Sequence, residues 1–177
     1  PPFLAASVPP LVMLVMGRNH KLYYEAYNDA SDLDGDGTLD ITYKPDQIDY
    51  YGYFDSNRCY QYDSTAGYFR PRNAAGGTNN HHCNNAASNG DWSGNFLNWA
   101  SMTRIDVLRK ALYGGKRAID TATQTVLERE LLSNDLHAFA KVFTAPAGDN
   151  SRNYTPYSAT TLTMCNSTPQ PTSGSDE

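Results

Sequence analysis

The sequence predicts an α/β domain built from short strands and helices. The apolar run 11–16 lies between a Pro-Pro pair and a glycine, as expected of a short buried strand. Residues 94–113 carry apolar side chains at helical spacing over a wide arc, which predicts a mostly buried helix. Residues 137–143 alternate in side-chain character, which is typical of a strand.

Capping signals set the bounds of the predicted helices. Ser93 is a suitable N-cap for the first helix, and Gly114-Gly115 ends it where a left-handed residue is needed. A second helix is predicted over 121–132, because Thr121 and Gln124 have the spacing of a capping box and apolar residues follow.

The other predicted strands are short. Residues 58–62 and 66–70 alternate between apolar and polar on either side of a polar turn, which predicts a β-hairpin. Residues 71–91 are rich in Gly, Asn and Ser and predict a long excursion loop. Further extended segments are expected at 41–43, 48–54 and 157–164.

Length and composition suit one globular domain over residues 1–145 and a polar, partly disordered extension over 146–177. Hydrophobic residues make up 40% of the chain, which is enough for a core. The 14 Lys and Arg residues are scattered, so a nucleic-acid partner is not expected. The apolar run 11–16 is far shorter than the roughly 20 residues of a membrane span. The sequence starts at Pro1-Pro2 and not at Met, so either a leader has been removed or the chain is a fragment of a longer protein. We expect export through a removed signal peptide and an extracellular or cell-surface location.

The three cysteines fit an exported chain with one disulfide. None forms a CxxC pattern, so zinc ribbons and thioredoxin chemistry are not supported. We predict a bond between Cys59 and Cys83, which flank one Tyr-rich region and enclose a short loop. Such closure is worth roughly 3 kcal/mol in the chain-entropy model. Cys165 is left free, paired between chains, or separated from a partner outside this sequence.

The acidic segment 32–40 predicts a calcium site. It has Asp at relative positions 1, 3, 5 and 9, with glycines that let the backbone curl. Calcium takes six to eight oxygen ligands at about 2.3–2.6 Å. Carboxylates are available from Asp32, Asp34, Asp36 and Asp40, and a backbone carbonyl from Thr38.

The spacing is closer to the calcium loops of integrin-type β-propellers than to an EF-hand, because position 12 is Tyr43 rather than Glu. The alternative is an acidic surface turn without an ion. Crowded carboxylates would then repel one another, which favours a bound cation.

Other candidate sites are less specific. His81 and His82 precede Cys83 and offer zinc or copper ligands, with a solvated loop as the simpler alternative. The run 50–54 is rich in tyrosine and fits either strand packing or a sugar- or partner-binding face. The sequence contains no nucleophile elbow, Walker loop or dinucleotide fingerprint, so we do not expect an enzyme.

The order of several stretches resembles the N-terminal part of PilY/PilC-type pilus tip proteins over roughly residues 8–143. The most specific stretches are WSGNFLNW at 92–99 and RIDVLRKALYGG at 104–115. Others are HKLYYEAY at 20–27, DLDGDG at 32–37, YKPD at 43–46 and IDYYGYFD at 48–55.

This resemblance implies a degenerate von Willebrand factor A-like sheet flanked by helices, with a long Tyr/Asn-rich β-hairpin and loop insertion. It also implies a role in type IV pilus assembly, adhesion and surface sensing. The family's DxSxS metal motif is absent after the run 11–16, so a magnesium-type adhesion site is not carried over.

Two functions follow from the sequence. The first is a non-enzymatic, calcium-binding component of a type IV pilus or related filament (fimbrium), with pilin or filament subunits, and self-association, as partners. The alternative is an independent secreted binding module for glycan or a surface protein.

Overall fold

The computed structural model describes residues 11–13, 15, 17, 19–74, 81–83, 90–133, 136–145 and 148–168. The two α-helices are α1 (Gly94–Ser101) and α2 (Arg104–Tyr113), and short 3-10 helices lie at His20–Tyr23 and Ser151–Asn153. The strands are β1 (Arg58–Asp63), β2 (Tyr68–Ala74), β3 (Asp91–Ser93), β4 (Arg117–Asp120), β5 (Thr125–Leu127), β6 (Phe139–Thr144) and β7 (Thr161–Asn166).

The strands form three small antiparallel sheets, with orders β2-β1-β3, β4-β5 and β6-β7. The predicted von Willebrand factor A-like parallel sheet is therefore not formed by the described residues, and the class is corrected to a small α/β fold. The connections give the physical reason. Tight turns join β1 to β2 and β4 to β5, whereas parallel pairing needs a crossover of a dozen or more residues.

The expectation of a buried strand at 11–16 is also wrong for the residues that the structure describes. Leu11, Val12, Met13 and Val15 lie outside any strand, and each exposes at least 81% of its surface. The interior is filled by aromatic side chains from elsewhere in the chain, so these apolar residues have no place in it.

The β1–β2 hairpin is formed as predicted. Asp63 pairs with Tyr68 at its end, and the Asp63 carboxylate accepts hydrogen bonds from the backbone N–H groups of Thr65 and Ala66 at 3.0 Å each. Gly67 adopts a left-handed φ of 78° in the same turn. On its other edge β1 pairs with β3, which delivers the chain directly into α1.

The predicted helix 94–113 is broken into α1 and α2. Its caps are where the sequence puts them, with the Ser93 side chain accepting from the Phe96 N–H and Gly114 in the left-handed region. The break falls at Met102 and Thr103, which are both extended. Thr103 caps α2 with its own side chain and pairs with Glu25 in an isolated antiparallel bridge. The N-terminal segment thus occupies the backbone groups that a continuous helix would use.

The predicted helix 121–132 is wrong, because this region holds the β4–β5 turn and then β5. Thr121 Oγ1 accepts from the Gln124 N–H at 3.0 Å, as in a capping box, but the Thr121 N–H donates to the Gln124 carbonyl at 2.9 Å. This second bond closes a hairpin turn. The pairing of Asp120 with Thr125 continues it into the two strands.

The β6–β7 ribbon confirms the predicted alternation of residues 137–143. Lys141 and Phe143 are buried, whereas Ala140 and Val142 are exposed.

The predicted domain boundary at residue 145 falls between two strands that pair along their whole length. Beyond it, Tyr154 lies fully inside the core. Within the extension predicted to be partly disordered, residues 161–166 form β7, whereas residues 169–177 lie outside the described part of the chain.

The core is a cluster of aromatic rings packed around α1. The rings contact each other edge-to-face, tilted or stacked, at centroid distances of 5.0–6.1 Å. Such pairs are typically worth about 0.5–1.5 kcal/mol each beyond area burial. The cluster consists of Tyr43, Tyr50, Phe96, Trp99, Ala100, Phe143 and Tyr154.

Two buried asparagines of α1 hold the segment 48–54, which runs beside the helix without joining a sheet. Asn95 accepts from the Tyr50 N–H at 2.7 Å and donates to the Ile48 carbonyl. Asn98 accepts from the Phe54 N–H at 3.0 Å and donates to the carbonyls of Tyr50 and Phe54. Buried backbone groups need hydrogen-bond partners. The two asparagine side chains supply the bonds that a neighbouring strand would otherwise make to this segment.

The predicted disulfide is present. Cys59 at the start of β1 is bonded to Cys83, which lies 24 positions later in the sequence, and their Cα atoms are 5.7 Å apart. The Cys83 N–H also donates to the Asn153 carbonyl at 2.7 Å, which fixes this point of the loop to the body of the domain. Cys165 on β7 is free and exposed.

Candidate functional site

The acidic loop 32–40 is shaped by glycine and by bonds from its backbone to its own carboxylates. Gly35 and Gly37 have φ values of 81° and 89°, which favour glycine strongly. The Asp32 carboxylate accepts from both of these N–H groups, at 2.6 Å and 2.9 Å. The chain therefore curls around Asp32 at the two glycines where the sequence predicts the bend.

Asp40 closes the loop from its other end. Its Oδ2 accepts from the Leu33 N–H at 2.5 Å and from the Asp34 N–H at 3.3 Å, and its own N–H donates to the Ser31 carbonyl. Its Oδ1 lies 2.5 Å from Lys44 Nζ. Asp40 is almost fully buried, unlike the exposed Asp32 and Asp34.

Three of the predicted calcium ligands converge. Asp32, Asp34 and Asp40 each offer a carboxylate oxygen, and these three oxygens lie within 4.8 Å of one another. Asp36 lies outside this group, because its carboxylate accepts from the N–H and the hydroxyl of Thr38 at 2.7 Å and 2.6 Å. The structure thus brings together the carboxylates at relative positions 1, 3 and 9 of the motif.

The electrostatics keep the loop acidic. The bonds from Thr38 hold the pKa of Asp36 below its usual value. The Lys44 ammonium, and then the Leu33 N–H, do the same for the pKa of Asp40, whose proximity raises the pKa of Lys44 in turn. These carboxylates are therefore ionised at neutral pH, and Lys44 neutralises only part of their charge. The donor set of clustered carboxylate oxygens fits a hard cation such as calcium.

A long-range contact, missed at the level of sequence, anchors the flanks of the loop to the core. Lys141 is buried, and its Nζ donates to the Tyr27 carbonyl at 2.6 Å and to Asp29 Oδ1 at 3.0 Å. Asp29 also accepts from the Thr42 N–H, so it joins the two chain segments that flank the loop. The ammonium lies 4.7 Å from the centre of the Trp99 ring. The signal in the sequence was a lysine on the apolar face of a strand.

The two loop histidines serve local structure. His81 is buried, with its ring nitrogens 2.7 Å from the Ser56 carbonyl and 2.8 Å from Asp49. His82 Nε2 lies 3.0 Å from the Tyr154 hydroxyl, which donates to Asp149. The two rings are held by separate partners, and among the described residues neither belongs to a three-ligand metal cluster.

The Tyr-rich run 50–54 divides between packing and exposure. Tyr50 is fully buried in the core, whereas Tyr51 exposes 49% of its surface. Gly52 lies so close to α1 that a Cβ there would come within 2.3 Å of Asn98 Oδ1. Tyr50 therefore packs in the core as predicted, although the predicted extended segment 48–54 forms no strand.

A cleft of about 1070 Å³ separates the β1–β2 and β4–β5 hairpins. Its walls carry aromatic and aliphatic side chains, and Gln124 bridges them by donating to the Tyr68 hydroxyl at 2.6 Å. The end of α1 forms its floor. Tyr62 and Phe69 line the cleft on one side, and Ile119 and Val126 line it on the other. Neither of the two described α-helices has the length and hydrophobicity of a transmembrane segment.

Comparisons with known proteins place the chain in a family. The profile described as "PilY1 homolog, small alpha/beta domain" matches residues 40–176. A type IV pilus biogenesis factor PilY1 homolog from Xylella fastidiosa (strain Temecula1) is 50% identical over 149 residues, which cover 83% of this chain and 10% of that protein. A second protein of the same name and organism is 44% identical over 95 residues, which cover 51% of this chain and 8% of that protein.

The chain therefore spans about a tenth of the length of the curated relatives it matches. No solved structure matches it. The family profile covers most of the chain, and its description agrees with the two helices and three small antiparallel sheets seen here. This chain belongs to the PilY1 homolog small alpha/beta domain family.

Proposed function

We propose that this chain acts as a non-catalytic domain of a type IV pilus biogenesis factor, outside the cell, where it supports pilus assembly and adhesion. The observation that carries the proposal is the 50% identity to a PilY1 homolog over 83% of the chain. Its partners on this account are pilin or other filament subunits, including further copies of the same factor.

Calcium has a structural role in this proposal. Three carboxylate oxygens within 4.8 Å of one another form a partial oxygen cage, and Asp32 and Asp40 already draw the loop around it. The remaining ligands would come from water and from backbone carbonyls such as that of Thr38. A calcium ion would relieve the repulsion between the carboxylates and hold the two ends of the loop together, next to the Lys141 anchor.

Isothermal titration calorimetry tests the calcium site. Asp34→Asn keeps the shape of the side chain and its bond from the Asp36 N–H, but removes one of the three converging charges. We expect one calcium per chain in the unmodified protein and at least a tenfold lower affinity in this variant. Asp46→Asn is the matched control, because Asp46 is exposed and lies outside the loop. Equal affinities in the two variants would contradict the site.

Sedimentation with native filaments tests the pilus role. The purified chain is mixed with type IV pili from a strain that lacks its own copy of the factor, and the pelleted fraction is measured with calcium and with a chelator. The proposal predicts calcium-dependent co-sedimentation. A monodisperse monomer that stays in the supernatant under both conditions would contradict it.

The cleft favours a second candidate, a binding module for glycan. Sugar rings pack on aromatic faces, and the cleft offers Tyr62 and Phe69 beside the polar Gln124. Glycan-array binding by the isolated chain, lost in Phe69→Ala and retained in the control Tyr113→Ala, would support this function. Absence of binding on the array would leave the pilus role alone.

A further inference from the structure

Two histidines that are 117 residues apart in sequence meet at the surface. His20 Nδ1 and His137 Nε2 lie 2.6 Å from each other, and the ring centroids are 4.5 Å apart at an interplanar angle of 66°. His20 begins the first 3-10 helix, and His137 lies in the turn just before β6. Two imidazole nitrogens thus converge on one point at the edge of the domain.

Neighbouring aromatic residues orient both rings. The second nitrogen of His20 lies 2.9 Å from the Tyr24 hydroxyl, and the ring of Tyr23 packs against His137 at 5.1 Å. Tyr24 is itself fixed, because its carbonyl accepts from the Arg104 N–H at the start of α2. When the Tyr24 hydroxyl accepts from His20 Nε2–H, His20 Nδ1 keeps its lone pair and accepts from His137 Nε2–H. This is the arrangement by which outer-shell groups prepare a histidine for a metal. An ion bound between the rings takes the place of this hydrogen bond between the histidines, with the His137 ring proton then carried on Nδ1.

The distances fit a transition-metal ion with small movement. Nitrogen ligands lie at about 2.0–2.1 Å from zinc, so two of them in tetrahedral geometry are about 3.3 Å apart. The two rings would separate by about 0.7 Å from their present contact to admit the ion. His20 is exposed, which leaves room for that movement and for water in the remaining coordination positions.

We propose that His20 and His137 form a surface binding site for a divalent transition-metal ion of the zinc, nickel and copper class. The site is chemically distinct from the acidic loop, because imidazole nitrogen suits these ions whereas carboxylate and carbonyl oxygen suit calcium. An ion at this point links the 3-10 helix His20–Tyr23 to the turn that contains His137, just before β6. It therefore stabilises the attachment of the N-terminal segment to the domain.

Zinc titration in the presence of excess calcium tests the site, since calcium then occupies carboxylates that would take zinc weakly. Calorimetry is expected to give one zinc per chain. His20→Ala and His137→Ala should each lower the zinc affinity by about 100-fold, because each removes one of two linked ligands. Tyr24→Phe should lower it by about tenfold through the lost orientation of His20.

Two controls separate this site from others. His82→Ala removes a histidine that contacts Tyr154 instead, and should leave zinc affinity unchanged. Asp34→Asn should also leave it unchanged, which keeps the result independent of the calcium proposal. The proposal is overturned if the His20→Ala/His137→Ala double variant binds zinc as tightly as the unmodified chain. It is equally overturned if the unmodified chain shows no zinc uptake with a Kd below about 1 mM.

Discussion

The buried asparagine Asn98 offers the sharpest test of how this fold is held together. Its side-chain NH₂ donates to the carbonyls of Tyr50 and Phe54 at 2.7 Å and 2.8 Å, and its oxygen accepts from the Phe54 N–H. Asn98→Asp keeps the shape and the acceptor but removes both donors. Two carbonyls then face a carboxylate instead of an NH₂ group, and the residue is fully buried.

The expected loss follows from these contacts. Leaving a buried polar group without its partner costs about 1–3 kcal/mol, so two carbonyls cost about 2–6 kcal/mol. A domain of this size has a total stability of about 5–15 kcal/mol, and 1 kcal/mol shifts its melting temperature by about 2–4 °C. We therefore expect the melting temperature of Asn98→Asp to fall by about 4–24 °C at neutral pH.

The pH dependence distinguishes this mechanism from a general packing defect. Burial raises the pKa of the introduced carboxyl in the folded state above its unfolded value. The folded state then holds its proton to higher pH than the unfolded state, so the variant loses stability as pH rises and recovers part of it in acid. Protonation also restores one O–H donor to the two carbonyls.

Thermal melts followed by circular dichroism at neutral and acidic pH provide the assay. Asn57→Asp is the matched control, because it makes the same chemical change at an exposed position and should alter stability by no more than about 0.5 kcal/mol. The reasoning is refuted if the two variants melt together, or if the deficit of Asn98→Asp is the same at both pH values.

Three further changes test other contacts. Cys59→Ser/Cys83→Ser should lower stability by about 3 kcal/mol in thermal melts, with Cys165→Ser as the silent control, and a non-reduced digest that joins Cys165 to either partner would contradict the pairing. Lys141→Met should lower the free energy of unfolding in urea by about 1–3 kcal/mol, because the Tyr27 carbonyl loses its hydrogen-bond donor. A stability equal to that of the unmodified chain would show that the Lys141 contact contributes nothing. Lys44→Met should raise the calcium affinity measured by calorimetry about fivefold, because it removes a competing cation from Asp40. A lower affinity would mean that Lys44 instead positions Asp40 for the ion.

The sequence predicted the fold best where a local signal has one structural meaning. Ser93, Gly114 and the turn at Asp63 mark the ends of their elements as expected. The helix predicted from Thr121 and Gln124 was wrong because the bond from the Gln124 N–H to the Thr121 side chain occurs both in a capping box and in this hairpin turn. Only the second bond, from the Thr121 N–H to the Gln124 carbonyl, distinguishes the turn from a helix. The prediction of a buried strand at 11–16 was wrong because the hydrophobicity of a segment does not show whether the core has room for it.

For the candidate site, spacing predicted that Asp32, Asp34 and Asp40 converge. It did not predict that Asp36 bonds to Thr38, since that choice depends on local backbone geometry. The Lys141–Asp29 contact joins residues 112 apart, and such pairs follow from tertiary packing that the pattern of one segment does not contain.

The melting temperature of the chain with and without calcium tests the central claim most directly. At a calcium concentration about 100 times the Kd, a site present only in the folded state adds about 2.7 kcal/mol, or about 5–11 °C. We predict a rise of this size in calcium and its loss in excess chelator. In Asp34→Asn, whose calcium affinity is at least tenfold lower, the rise should be about half this size or smaller. A melting temperature that is the same in calcium and in chelator would contradict a structural calcium loop in this domain.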